Sequence, residues 1–139
     1  MLFRSLVIAA VAGWRQLRVP SGARLEAGLE RLRALHWEAF ATALEAGFRR
    51  EGYAVTRLEG AADFALEKAG RVSLAAAKRW KAARTGVEPL RELKVAAARR
   101  EAAECLYLSA GEITDTARAF AAQAKIRLVE GLELVKLAT

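Results

Sequence analysis

Apolar positions recur along this chain first at helical spacing and then in shorter, strand-like runs. Between Arg24 and Arg33, Leu25, Leu29 and Leu32 stand three and four residues apart with charges between them, the spacing of a half-buried helix. Trp37, Phe40, Ala41, Leu44 and Phe48 form a second helical stripe that Gly52 ends. These two segments read as separate helices or as one bent helix. The pattern then shortens. The runs from Tyr53 to Leu58, Asp63 to Lys68 and Val72 to Lys78 read as strands. Only Glu59-Gly60-Ala61-Ala62 and Ala69-Gly70-Arg71 separate them, so they predict an antiparallel meander. A helix is expected from Gly86 to Arg100, with Pro89 in its first turn where the missing N–H costs no hydrogen bond. A strand from Ala103 to Ser109 follows, then a helix from Thr114 to Gln123 capped by Thr114. A strand from Lys125 to Val129 and a short helix after Glu130-Gly131 complete the chain. The order α-β-β-β-α-β-α-β-α predicts an α/β fold. Its central mixed sheet would be a meander followed by crossover strands, flanked by helices.

Val19-Pro20-Ser21-Gly22 interrupts the apolar pattern and reads as a linker. It divides an apolar and basic N-terminal segment, residues 1–22, from one domain over residues 23–139. Leu6 to Trp14 is apolar but too short to span a bilayer, which needs roughly 20 such residues. With Arg4 before it and Arg15, Arg18 and Arg24 behind, it reads as the inner end of a membrane helix, the arginines marking the cytoplasmic side. A short interfacial helix fits the same residues. The expected location is cytoplasmic, with tethering to the inner membrane face through residues 1–18 as an added contact.

Composition narrows the function. The 139 residues are 54% hydrophobic and 28% charged, so a folded core is expected. A formal charge of +7 favours anionic partners, nucleic acid or an acidic lipid surface. Cys105, the single cysteine, lies in an apolar run and reads as a buried thiol. His36, the single histidine, has no nucleophile or metal-ligand partner at meaningful spacing and reads as structural. There is no glycine-rich phosphate loop, which argues against a nucleotide-driven motor.

The candidate chemistry lies between Gly52 and Lys81. A carboxylate, Asp63, opens one strand, and the next ends in Ala76-Ala77-Lys78-Arg79-Trp80-Lys81. One large class of metal-dependent nucleases sets an acid and a lysine in this arrangement. Lys78, Arg79, Lys81 and Arg84 put four basic residues into seven positions, a candidate phosphate-binding run. A solvated strand end accounts for them too. Trp80 reads as a packing residue.

Several segments, in order, resemble the Mrr-like restriction endonucleases of the PD-(D/E)xK superfamily. They are Trp37-Glu38-Ala39-Phe40 with Gly52-Tyr53-Ala54-Val55, Ala62-Asp63-Phe64-Ala65-Leu66, Ala76-Ala77-Lys78-Arg79-Trp80-Lys81, Leu108 to Thr114 with Ala117 and Phe120-Ala121, and Ile126 to Gly131 with Leu134. The resemblance runs from about Trp37 to Leu137. It implies a restriction-endonuclease-like fold and a Mg²⁺- or Mn²⁺-dependent DNA endonuclease of the restriction and defence class. Asp63 would be the principal metal ligand, the Ala77 carbonyl a second, and Lys78 the residue that orients water or stabilises the transition state. The chain departs from the family at Ala76, where a ligating Glu or Gln is usual, and at Ala41, where a Glu often follows the helix phenylalanine. Glu38, Glu45 and Glu67 are candidates for a migrated carboxylate, and surface solvation accounts for them equally well. Two readings stay open: a metal-dependent endonuclease impaired at Ala76, and a non-catalytic nucleic-acid-binding module at the membrane. Candidate partners are DNA, the membrane surface and a second copy of the chain.

Overall fold

A computed structural model describes residues 22–139. The expectation for Leu6 to Trp14 lies outside the described residues, among which no helix is long and apolar enough to cross a membrane. Two helices open the fold, α1 (Gly22–Arg33) and α2 (Trp37–Arg50). They are separate elements, because the turn at Ala34 and Leu35 ends the first before His36 precedes the second. The meander follows as β1 (Ala54–Arg57), β2 (Phe64–Lys68) and β3 (Arg71–Ala76), and then β4 (Arg84–Thr85), α3 (Glu88–Arg99) and β5 (Glu104–Leu108). The chain closes with β6 (Glu112–Ile113), α4 (Asp115–Ala124), β7 (Ile126–Val129) and α5 (Gly131–Ala138). The Thr114 hydroxyl caps α4 by accepting from the Ala117 N–H, as the sequence predicts.

The main sheet has the order β1-β2-β3-β5-β7. β1, β2 and β3 pair antiparallel; β3, β5 and β7 pair parallel. Helices cover both faces, because every strand residue pointing one way needs apolar cover. On one face Phe40, Leu44 and Phe48 of α2, with Leu134 and Leu137 of α5, bury Phe64, Leu66, Leu106 and Leu108. On the other, Leu90 and Leu93 of α3 and Ala117 and Ala121 of α4 bury Leu74, Ala76, Cys105 and Tyr107. Cys105 is a buried free thiol.

Two features differ from the sequence pattern. β4 and β6 form a second, parallel two-stranded sheet, pairing Arg84 with Glu112 and Thr85 with Ile113. Strands of two residues have no periodicity to read, so they were invisible in sequence. Second, regular pairing starts after Asp63 and stops before Lys78. The candidate acid and base therefore sit just past the ends of their strands.

Candidate active site

Asp63 is fixed by its own main chain before its side chain does anything. Its N–H donates to the Ala75 carbonyl at 2.8 Å, and its carbonyl accepts from the Leu58 N–H at 2.9 Å. Extending the pairing of Phe64 with Ala75 by one residue sets Asp63 across from Ala76. The Asp63 side chain is 4% exposed as a residue, a position where an unpaired carboxylate would be costly. Both oxygens have donors. Oδ2 accepts from the Ala77 N–H at 2.7 Å, and Oδ1 accepts from Lys78 Nζ at 2.7 Å. The Lys78 side chain remains 35% exposed, so the ion pair has one buried end and one end open to solvent.

That pair faces a cavity of about 290 Å³ lined by Trp37, Asp63, Ala77, Lys78 and Trp80. Trp80 is a packing residue, as its sequence context suggests. It stacks on Phe40 with ring centroids 4.0 Å apart and is itself buried. Trp37, by contrast, is half-buried and lines the mouth. Its helical periodicity identifies it only as a core position, so sequence gave no sign of this second role.

The basic run leaves β3 and is held along its length. The Arg79 N–H donates to the Tyr107 hydroxyl at 3.3 Å. The Trp80 carbonyl accepts from the Ala110 N–H at 3.1 Å, and the Ala83 carbonyl from the Glu112 N–H at 2.8 Å. Arg79, Lys81 and Arg84 keep exposed side chains, with the Lys81 ammonium 5.1 Å from the Trp80 ring centroid. Tyr107 was legible only as part of an apolar strand. A fully buried tyrosine, however, needs a partner for its hydroxyl, and that requirement is the signal that finds it. Burial pushes its pKa up, more than the hydrogen bond from the Arg79 backbone lowers it.

The other carboxylates lie elsewhere. Glu38 and Glu45 both accept from the Arg57 guanidinium, and Glu45 also pairs with Arg49. Glu67 is exposed near the far end of β2. It is four residues from Asp63, roughly 13 Å along an extended chain. Ala41 and Ala76 are both fully buried among apolar side chains. Among the described residues, no group of three or more His, Cys, Asp and Glu side chains is placed to hold one metal ion. Divalent cations of the magnesium type want near-octahedral oxygen donors, usually with one or two carboxylates. Here the donor set is one carboxylate with both oxygens engaged and a neighbouring main-chain carbonyl. Those residues do not fit the three-ligand site that the resemblance implies, since Ala76 stands where its Glu or Gln would be.

Comparison with known proteins agrees with the architecture. No curated protein matches the chain in sequence. Among solved structures, the MspJI restriction endonuclease in complex with a 27-mer oligonucleotide superimposes with a TM-score of 0.60 at 19% identity, over 85% of this chain and 32% of that one. The crystal structure of the protein of unknown function AF1548 gives a TM-score of 0.57 at 12% identity, over 70% of this chain and 64% of that one. This chain thus spans less than two thirds of either neighbour, and at these identities the likeness is one of fold. The family model Mrr_cat, a restriction endonuclease, matches residues 32–138. That stretch includes the whole meander, the Asp63–Lys78 pair and the basic run, and on that match the chain belongs to the Mrr restriction endonuclease family.

Proposed function

We propose that this domain binds DNA through its sugar–phosphate backbone and that its strand-end site grips rather than cuts. The observation that carries this reading is the state of Asp63. Both oxygens are taken by protein donors, Ala77 N–H and Lys78 Nζ, while the position across from it is the apolar Ala76. Asp63 therefore serves to hold the end of β3 and to aim Lys78 at the cavity mouth. Lys78, Arg79, Lys81 and Arg84 supply the cations, on a segment whose main chain is pinned to Tyr107, Ala110 and Glu112. A pinned run of cations loses less side-chain and backbone freedom on binding than a floppy one. Contacts of this kind fix position on DNA and carry no base information.

A second reading is metal-dependent strand cleavage, favoured by one specific observation: an acid and a lysine 2.7 Å apart at the mouth of a cavity. A divalent cation bound there would supply an activated water and neutralise charge on the phosphate. Asp63 and the Ala77 carbonyl are the groups available to hold it. The two readings separate when a DNA duplex is titrated with and without EDTA and gel shift and strand cleavage are read in parallel, metal-dependent cleavage being the result that favours the second reading. Backbone gripping by the basic run predicts binding that EDTA leaves unchanged and that Lys81→Ala/Arg84→Ala weakens roughly tenfold at low salt. Binding that needs a divalent cation, or that ignores the double substitution, would sink the proposal.

A further inference from the structure

A groove on the α3 side of the molecule is not used by the strand-end site. It has a volume of about 480 Å³ and runs between α3 and the turn joining β1 to β2. On α3, Arg91, Val95 and Arg99 stand at i, i+4 and i+8, so they form one straight stripe. Glu92, Ala96 and Arg100 form the adjoining stripe, and Glu59, Gly60 and Ala61 make the opposite wall. Val95 is 53% exposed, the one large hydrophobic side chain left open among the described residues. Arg99 and Arg100 make no ion pair among the described residues, although two glutamates line the same groove. Arg91 reaches an exposed Glu88 at 3.7 Å, a weak contact in water, and its guanidinium lies 5.8 Å from the Phe120 ring centroid.

The charge pattern selects the occupant. A second copy of the chain fits badly. Antiparallel packing of α3 on itself about Val95 would set Arg91 of each copy against Arg99 of the other. A polyanion fits, since three arginines outnumber the two glutamates and two of the three lack an internal partner. Position then points to nucleic acid. Ala61, in the groove wall, is two residues from Asp63 along the chain, so that wall lies within about 7 Å of the strand-end carboxylate's main chain. Arg99 has an ordinary structural role too, because a cation in the last helical turn complements the helix dipole. That role does not account for the exposed Val95 or for Arg100 beyond the helix end.

We infer that the groove between α3 and the β1–β2 turn is a second phosphate-binding segment that extends the DNA track past Asp63. The arginines hold phosphate oxygens, and Val95 packs against a sugar face. This rests on the DNA-binding reading above, and the test separates the two. Binding of a labelled duplex to the full chain would be measured by fluorescence anisotropy from about 50 to 200 mM salt. Arg99→Ala/Arg100→Ala would be compared with Arg31→Ala/Lys136→Ala, which removes the same charge from α1 and α5 on the other face of the sheet. The groove variant is expected to bind roughly tenfold more weakly at low salt. Its plot of log K against log salt should be shallower by about 1.8, from 0.9 per lost phosphate contact. The control pair should shift neither by a comparable amount. Equal losses in the two variants would reduce the effect to net charge and overturn the groove. So would an unchanged slope accompanied by poly-glutamate binding that Arg99→Ala/Arg100→Ala abolishes, which would assign the groove to an acidic protein segment. A parent chain that binds no duplex at any salt would instead defeat the DNA-binding reading itself.

Discussion

Asp63 and Lys78 are coupled through one short ion pair, and each also has a partner or surroundings of its own. Removing the carboxylate in Asp63→Ala strands the buried Ala77 N–H, which costs about 1–3 kcal/mol. Lys78→Ala leaves a carboxylate that is 4% exposed with only a single N–H donor. The double variant should therefore lose less stability than the two singles combined. A coupling on the order of 1 kcal/mol is expected in a denaturation-based double-mutant cycle, kept modest by the solvent exposure of Lys78. Strict additivity would show that the pair contributes nothing. Burial also sets an alkaline limit. It pushes Cys105 above its ordinary 9.0 and Tyr107 above its ordinary 10.0. Groups held protonated by the fold contribute stability that is complete below their unfolded pKa and is lost as pH rises through the folded one. Unfolding free energy should then be steady to about pH 9 and fall above it, and Tyr107→Phe should flatten the upper part of that fall. At this scale the sequence showed which residues carry charge, through the Asp63 and Lys78 spacing. It hid what each one touches, because the Tyr107 and Trp37 contacts join residues far apart in the chain.

The elements were legible where they are long. The α2 stripe, the three-strand meander and the Thr114 cap follow from periodicity and capping chemistry that act within a few residues. The β4–β6 pairing was not legible, since it depends on a close approach of two segments whose paired residues are 28 apart in the chain. One glycine makes that approach feasible. A Cβ on Gly111 would lie 1.9 Å from the Ala82 carbonyl oxygen, and main chain cannot move aside as a flexible side chain can. Gly111→Ala should destabilise the fold by about 1–3 kcal/mol, read as a lower unfolding midpoint. Duplex binding should weaken with it, since the displaced partner is the segment that carries Lys81 and Arg84. A variant with unchanged stability and binding would mean that the small sheet does not hold the basic run.

Residues 22–139 form a restriction-endonuclease-like fold, in a chain with a formal charge of +7. Two groups of its cations lie on the strand-end run and along the α3 groove. The sequence reached the fold because six short segments appear in family order, and that order survives even where individual site residues do not. It could not decide activity, because Ala76 stands where the resemblance implies a metal ligand, while Asp63 and Lys78 match its other positions. A grip built from phosphate contacts should be strongly salt-dependent and indifferent to base sequence, and competition by unrelated duplexes of equal length checks that. The most direct test of the central claim incubates the full chain with supercoiled plasmid in Mg²⁺ or Mn²⁺, beside Asp63→Ala and Lys78→Ala, with retention of the plasmid on a gel read in parallel. The account predicts that the plasmid is bound and stays supercoiled, and that Lys78→Ala weakens its retention without changing its topology. Metal-dependent nicking by the parent that both substitutions abolish would contradict it.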